Sequence, residues 1–118
     1  MRSYFITSTG TDIGKTLVTT TLCWQLRQMG RKVTALKPVI TGYNPQDLNN
    51  DSALILKSCG MMPTPPLMET ISPWRFSSPL APNMAAVRDN KPFVDTDALV
   101  NFCREHTALE SDILLVES

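Results

Sequence analysis

The chain has none of the features that mark a membrane protein, a nucleic-acid binder or a disulfide-built secreted domain. No apolar run approaches the roughly 20 residues needed to span a bilayer, and Met1-Arg2-Ser3 leads straight into a strand-like segment, not a signal peptide. Charge of neither sign is in excess. Eleven Lys and Arg balance eleven Asp and Glu, so no electrostatic footprint points to nucleic acid or to an anionic membrane, and small, individually bound partners are expected. Three cysteines, Cys23, Cys59 and Cys103, form no C-x-x-C pair and leave one over, which suits free thiols in a reducing compartment. The expected location is therefore cytoplasmic. The single histidine, His106, falls near the end of a predicted helix, where a cation complements the dipole, and a mechanism needing a histidine base finds little support.

What is present reads as one α/β domain of 118 residues, long enough to bury a core but short for a complete nucleotide-using enzyme. Tyr4-Phe5-Ile6-Thr7 is a predicted strand. Val18, Leu22, Leu26 and Met29 recur at helical spacing and predict a core-facing stripe on a helix that ends at Gly30. Val33-Thr34-Ala35-Leu36 is a second strand, stopped by Lys37-Pro38, and the strand, helix and strand together predict a βαβ unit in a parallel sheet. Val39 to Gly42 continues as a turn at the carboxyl end of that strand, the edge where open α/β sheets bind ligands.

Asp51 is placed to cap a short helix over Ser52 to Ser58 that stops at Gly60, and Met61 to Pro66 reads as a surface connection. Ser72 to Pro82 is punctuated by proline but carries two aromatics that want burial, Trp74 and Phe76. A short helix is predicted through Met84 to Val87. Another, capped by Asp95 or Thr96, turns Ala98, Leu99, Phe102 and Cys103 inward. Ile113-Leu114-Leu115-Val116 is a continuous apolar strand of the kind covered on both faces, predicted to leave an apolar sheet edge exposed. Repeats and low-complexity tracts are absent.

The most informative segment is Ser8-Thr9-Gly10-Thr11-Asp12-Ile13-Gly14-Lys15-Thr16, between the first strand and the first helix. It departs from the pattern G-x-x-x-x-G-K-S/T only at Thr9. A turn at Gly14 lets successive backbone N–H groups converge on phosphate oxygens, Lys15 can reach terminal phosphates, and the Thr16 hydroxyl can ligate Mg²⁺. The helix that starts here adds its positive end to the same anion site.

Three further polar residues stand out. Lys37, at the end of the second strand, either reaches a phosphate held by the loop or is a solvated strand-end lysine. Asp51 is either a ligand or a helix cap. Glu117 is the most telling, because a carboxylate directly after four apolar residues at the end of a buried strand points to a cation or a ligand.

In this order the segments resemble the dethiobiotin synthetase family, the ATP-dependent carboxylases of biotin biosynthesis. The family's loop, G-T-G-T-D-I-G-K-T or G-T-D-T-E-V-G-K-T, is similar to Ser8 to Thr16, and its K-P-V-x-S/T-G to Lys37-Pro38-Val39-Ile40-Thr41-Gly42. Its S-D-A-x-x-L resembles Asn50 to Leu56, its N-P-Y-x-F-x-x-P-x-x-P resembles Ser72 to Pro82, and its V-E-G-A-G-G begins here as Val116-Glu117. The resemblance implies a P-loop NTPase-like α/β fold with a mostly parallel sheet flanked by helices. Residues 1–118 would form the N-terminal part of a single nucleotide-binding domain, since family members are about twice as long.

It also implies roles. Asp12, Ile13, Gly14, Lys15, Thr16 and Leu17, with Asp51 and Glu117, would bind ATP. Thr16, Asp51 and Glu117 would organise Mg²⁺, Thr11 and Thr41 would touch 7,8-diaminopelargonate or its carbamate, and Lys37 would be the catalytic lysine. The implied partners are ATP, CO₂ or bicarbonate and diaminopelargonate, with a homodimer at full length. Ser8 and Ser118 replace family glycines, and Ser52 intervenes between Asp51 and Ala53. Two other readings stay open. A partition-type P-loop ATPase would carry a lysine five positions before the loop lysine, where this chain has Gly10. A truncated or degenerate chain would bind phosphate without catalysis.

Overall fold

A computed structural model of the chain describes residues 2–7, 14–107 and 111–118. Its elements in order are β1 (Arg2–Ile6), α1 (Lys15–Gln28), β2 (Val33–Leu36), β3 (Val39–Ile40), α2 (Asp51–Ser58), α3 (Pro65–Ile71), β4 (Trp74–Arg75), α4 (Pro82–Arg88), α5 (Thr96–Thr107) and β5 (Ile113–Glu117). None of these helices is long and apolar enough to cross a membrane.

The apolar run Ile113 to Val116 has to be covered on both faces, and it takes the centre of the main sheet. The order is β1-β5-β2 with both pairings parallel, Ile6 opposite Glu117 on one side and Leu36 opposite Val116 on the other. The predicted exposed apolar edge at Ile113 to Val116 is thus corrected: the outer strands of this sheet are β1, where Tyr4 and Phe5 are exposed, and β2, while Leu114, Leu115 and Val116 are buried at the centre. The predicted βαβ unit is present, with β1 and β2 parallel in one sheet on either side of α1 in the chain, and β5 lies between its two strands. Lys37 to Gly42 also holds more structure than a turn. Val39 and Ile40 pair in parallel with Trp74 and Arg75 as a second, two-stranded sheet.

Helices α1 and α2 pack together over β2 and β5, around a core of Cys23, Leu36, Ile55, Met68, Leu114 and Leu115 among others. The face that α1 buries differs from the predicted stripe. Thr19 and Cys23 are fully buried and Leu22 and Leu26 partly so, whereas Val18 and Met29 are 49% and 69% exposed. The buried face is rotated from the apolar stripe because it is centred on Thr19, bonded to Glu117, and on Cys23 in the core. Helix α3 occupies part of the predicted connection, with Pro65 in its first turn, where the missing N–H costs nothing. Helix α5 packs on β5 with Ala98, Leu99, Phe102 and Cys103 partly buried, and its Ala98 N–H is capped by the Asp95 carboxylate at 3.3 Å.

All three cysteines are free. A hydrogen bond between Cys23 and Cys59 raises the first thiol's pKa, as does burial, and lowers the second to about 7.

The cap of α2 is Asn50, not Asp51. The Asn50 side-chain oxygen accepts the Ala53 N–H at 2.9 Å, and its amide donates to the carbonyls of Asp47 (2.8 Å) and Asn44 (3.1 Å). Asp51 is then the first helical residue, with its carboxylate directed elsewhere. Asn50→Ala is expected to lower stability by about 1–2 kcal/mol, the usual cost of losing such a cap, read as a lower urea midpoint at unchanged slope. An unchanged midpoint would show that the cap carries no stability.

Candidate active site

The site collects at the carboxyl ends of β2 and β5 and the amino end of α1. Gly14 precedes α1 with φ +99°, a left-handed conformation that L side chains rarely adopt. A Cβ there would meet nothing within 4 Å, so the requirement for glycine is one of backbone angle and not of space. The first helical bond runs from Val18 N–H to the Gly14 carbonyl at 2.9 Å. The N–H groups of Lys15, Thr16 and Leu17 therefore lie at the open, positive end of the helix, where an anion is favoured. The Leu17 side chain is exposed, so any contact with a ligand here falls to its backbone. Thr11, Asp12 and Ile13 lie outside the described residues.

Parallel register carries the two strand-end residues to one place. Leu36 sits opposite Val116, so Lys37 and Glu117 follow side by side, and their side chains close to 2.8 Å between Nζ and Oε2. Both are buried, with side chains 8% and 0% exposed. Glu117 takes two more donors from one face of α1, the Thr16 hydroxyl at 2.9 Å on Oε2 and the Thr19 hydroxyl at 2.8 Å on Oε1. Lys37 Nζ also donates to the Ser118 backbone oxygen at 3.3 Å and pairs electrostatically with Asp51 Oδ2 at 3.6 Å. Lys15 Nζ lies 3.1 Å from Ser118 Oγ and 3.4 Å from its backbone oxygen. Two ammonium groups thus converge on one residue's oxygens, the kind of field that suits an anionic group.

These groups open on a cleft of about 540 Å³ lined by Lys15, Lys37, Thr41, Asp51 and Ser118 on one side and Pro79 to Pro82 on the other. The proline wall is held in place by short-range contacts. Gly42 (φ +64°) donates its N–H to the Ser78 carbonyl at 3.2 Å, and a Cβ at Gly42 would sit 3.4 Å from Pro79 Cβ. The Asp89 carboxylate accepts both the N–H and the hydroxyl of Ser78, and these bonds, the hydroxyl's first, hold its pKa below the usual range.

The structure brings Lys15, Thr16, Lys37, Asp51 and Glu117 together and sets Thr41 on the cleft wall. Thr19 and Ser118 are part of the cluster but were not predicted as site residues. The available signal for Thr19 was its place one turn after Thr16 on the same helix face. Among the described residues no cluster of three or more His, Cys, Asp or Glu could hold a metal ion. The oxygens of Thr16, Asp51 and Glu117 are nonetheless hard donors of the kind Mg²⁺ takes, and Lys37 pairs with both carboxylates here.

A parallel sheet flanked by helices, with Gly-Lys-Thr opening the helix after the first strand, defines a P-loop nucleotide-binding fold. A family model described as an AAA domain matches residues 2–118, and the chain belongs to that family. Among individual proteins it is similar to the ATP-dependent dethiobiotin synthetase BioD of Methylobacterium nodulans, 41% identical over 87% of this chain and 47% of that protein. The proteins of the same name from Acidiphilium cryptum and a Caulobacter species are 38% and 36% identical, each over 99% of this chain and 53% and 50% of their own length. The chain thus spans about half the length of the curated relatives it matches.

Proposed function

We propose that these residues form the phosphate-handling half of an ATP-dependent dethiobiotin synthetase, the N-terminal part of one P-loop domain that acts in the cytoplasm as a homodimer. The observation that carries this reading is the buried Lys37–Glu117 pair, bonded to Thr16 in the first turn of α1 and bordering a cleft that Lys15, Lys37 and Asp51 line together. In the reaction, one amine of 7,8-diaminopelargonate takes up CO₂ as a carbamate. A carbamate oxygen attacks the γ-phosphorus of ATP and ADP leaves. The second amine then attacks the carbonyl of the mixed anhydride, phosphate is expelled, and the cyclic urea of dethiobiotin closes.

Each stage is anionic, so catalysis is chiefly positioning and charge stabilisation. Lys15 and the N–H groups at the start of α1, with the loop residues Asp12 and Ile13, hold the ATP phosphates. Lys37 faces the charge that develops on the transferred phosphoryl, while Glu117 and Asp51 keep its ammonium at the cleft. Thr11 and Thr41 contact the amine substrate or its carbamate. Thr16, Asp51 and Glu117 would hold Mg²⁺, which when bound supplies further neutralisation of phosphate charge.

The test uses a full-length protein of the relatives' size that contains these residues. It is expected to form dethiobiotin from diaminopelargonate, bicarbonate and MgATP, and Lys15→Ala is expected to weaken ATP binding by about 10- to 150-fold, the loss of a charge-assisted bond of about 1.5–3 kcal/mol. Equal nucleotide affinity in Lys15→Ala and parent by calorimetry would remove the loop from the site, and absence of turnover in the parent would falsify the reaction assigned.

A further inference from the structure

We propose that Thr19 is a positioning residue that fixes the plane of the Glu117 carboxylate, and so the direction in which Glu117 presents Lys37 to the cleft. The inference rests on the proposed function above for its catalytic consequence, but not for the contact itself.

The argument starts from a degree of freedom. The terminal torsion of a glutamate is broad, so its carboxylate plane is set by hydrogen bonds more than by rotamer preference. Glu117 is 1% exposed and has no water shell to choose its orientation. Its Oε2 serves Lys37 and Thr16, and its Oε1 serves Thr19. These partners are not equivalent. Lys37 lines the cleft and Thr16 is half-buried in the first turn of α1, so both are positioned to be recruited by a bound ligand. Thr19 is 0% exposed, a turn deeper, and its bond to Oε1 is buried. It is the partner that stays when the others exchange.

The Thr19 hydroxyl has one proton and two acceptors in reach, Glu117 Oε1 at 2.8 Å and the Lys15 carbonyl at 2.9 Å. The ionised oxygen is the stronger acceptor, and the Lys15 carbonyl faces the helix ladder in any case. A threonine that served only as helix filler would be poorly chosen here, since alanine has the higher helix propensity.

In the full-length protein, Thr19→Val keeps the shape and removes the donor, and Thr19→Ser keeps the donor. Thr19→Val is expected to lower kcat per folded molecule by about 10- to 100-fold with KM for ATP within about threefold, the mark of misplacement and not of lost binding. Thr19→Ser is expected to stay within about threefold of the parent in both. Independently of turnover, the ¹³C carboxyl resonance of Glu117 should move in Thr19→Val and return in Thr19→Ser. An unmoved resonance in Thr19→Val, an unchanged kcat in a folded Thr19→Val, or a Thr19→Ser as impaired as Thr19→Val each overturns the assignment. If Thr19→Val does not fold, Thr19→Ala, which also removes the donor but adds no apolar methyl, takes its place with the same expected and overturning outcomes. A parent without turnover sinks the functional reading alone, and the carboxyl resonance then settles Thr19.

Discussion

Lys37→Gln in the full-length protein is expected to cut kcat by about 10²- to 10³-fold while ATP affinity changes by less than about tenfold. The magnitude is that of removing one preorganised charge stabiliser. The split follows from the proposed roles, because Lys15 and the N–H groups at the start of α1 would hold the ATP phosphates while Lys37, seated on Glu117, would meet charge on the transferred group. The same substitution has a structural cost. It leaves Glu117, whose side chain is wholly buried, without its counter-charge, and breaking such a pair from one side costs about 3–5 kcal/mol. Two threonine hydroxyls soften that loss without neutralising the charge. Steady-state kinetics with ATP and substrate varied separately would check the first effect, and urea denaturation the second. A raised KM for ATP at unchanged kcat would reduce Lys37 to a binding residue.

Glu117→Gln is expected to lower kcat by about 10²-fold or more, since the ammonium it seats would drift by an ångström or so, and displacements of that size at a reacting centre carry penalties of this order. Its stability cost should be smaller than that of Lys37→Gln, at about 1–3 kcal/mol. The asymmetry comes from where each partner can go. Lys37 retains Asp51 and the Ser118 carbonyl and borders an open cleft, whereas Glu117 has no path to water. Paired urea titrations of the two variants decide the matter. A Glu117→Gln protein less stable than Lys37→Gln would show that the lysine, not the carboxylate, is the stranded charge.

Much of this site could be read from residue order. Glu117 stood out because a carboxylate ending four apolar residues has to be accounted for, and its burial against Lys37, Thr16 and Thr19 is the account. Lys37 was readable as a strand-end lysine, and parallel register explains why the end of β2 meets the end of β5. The misses share one cause, which is that local patterns do not encode long-range partners. Apolar spacing on α1 favoured Val18 and Met29 because nothing in that window announces that Thr19 will face a carboxylate 98 residues away. Asp51 looked like a cap because Asp and Asn are nearly equal in that role, and the hydrogen bonds of Asn50 to Asn44 and Asp47, which decide between them, lie upstream. The pairing of Val39-Ile40 with Trp74-Arg75 is too short to carry a strand signal of its own.

The central position of β5 also bears on the order in which the molecule can be assembled. Strands β1 and β2 do not pair with each other, so during synthesis the first strand and the second wait, each with an unpaired edge, until residues near 113 have been made. Loop closure over so long a stretch is slow compared with helix formation, and the segments in between can form α1 and α2 first. The insertion of β5 between β1 and β2 is also what delivers Glu117 to Lys37, Thr16 and Thr19. The three-stranded pairing and the buried Lys37–Glu117 contact therefore depend on one and the same strand.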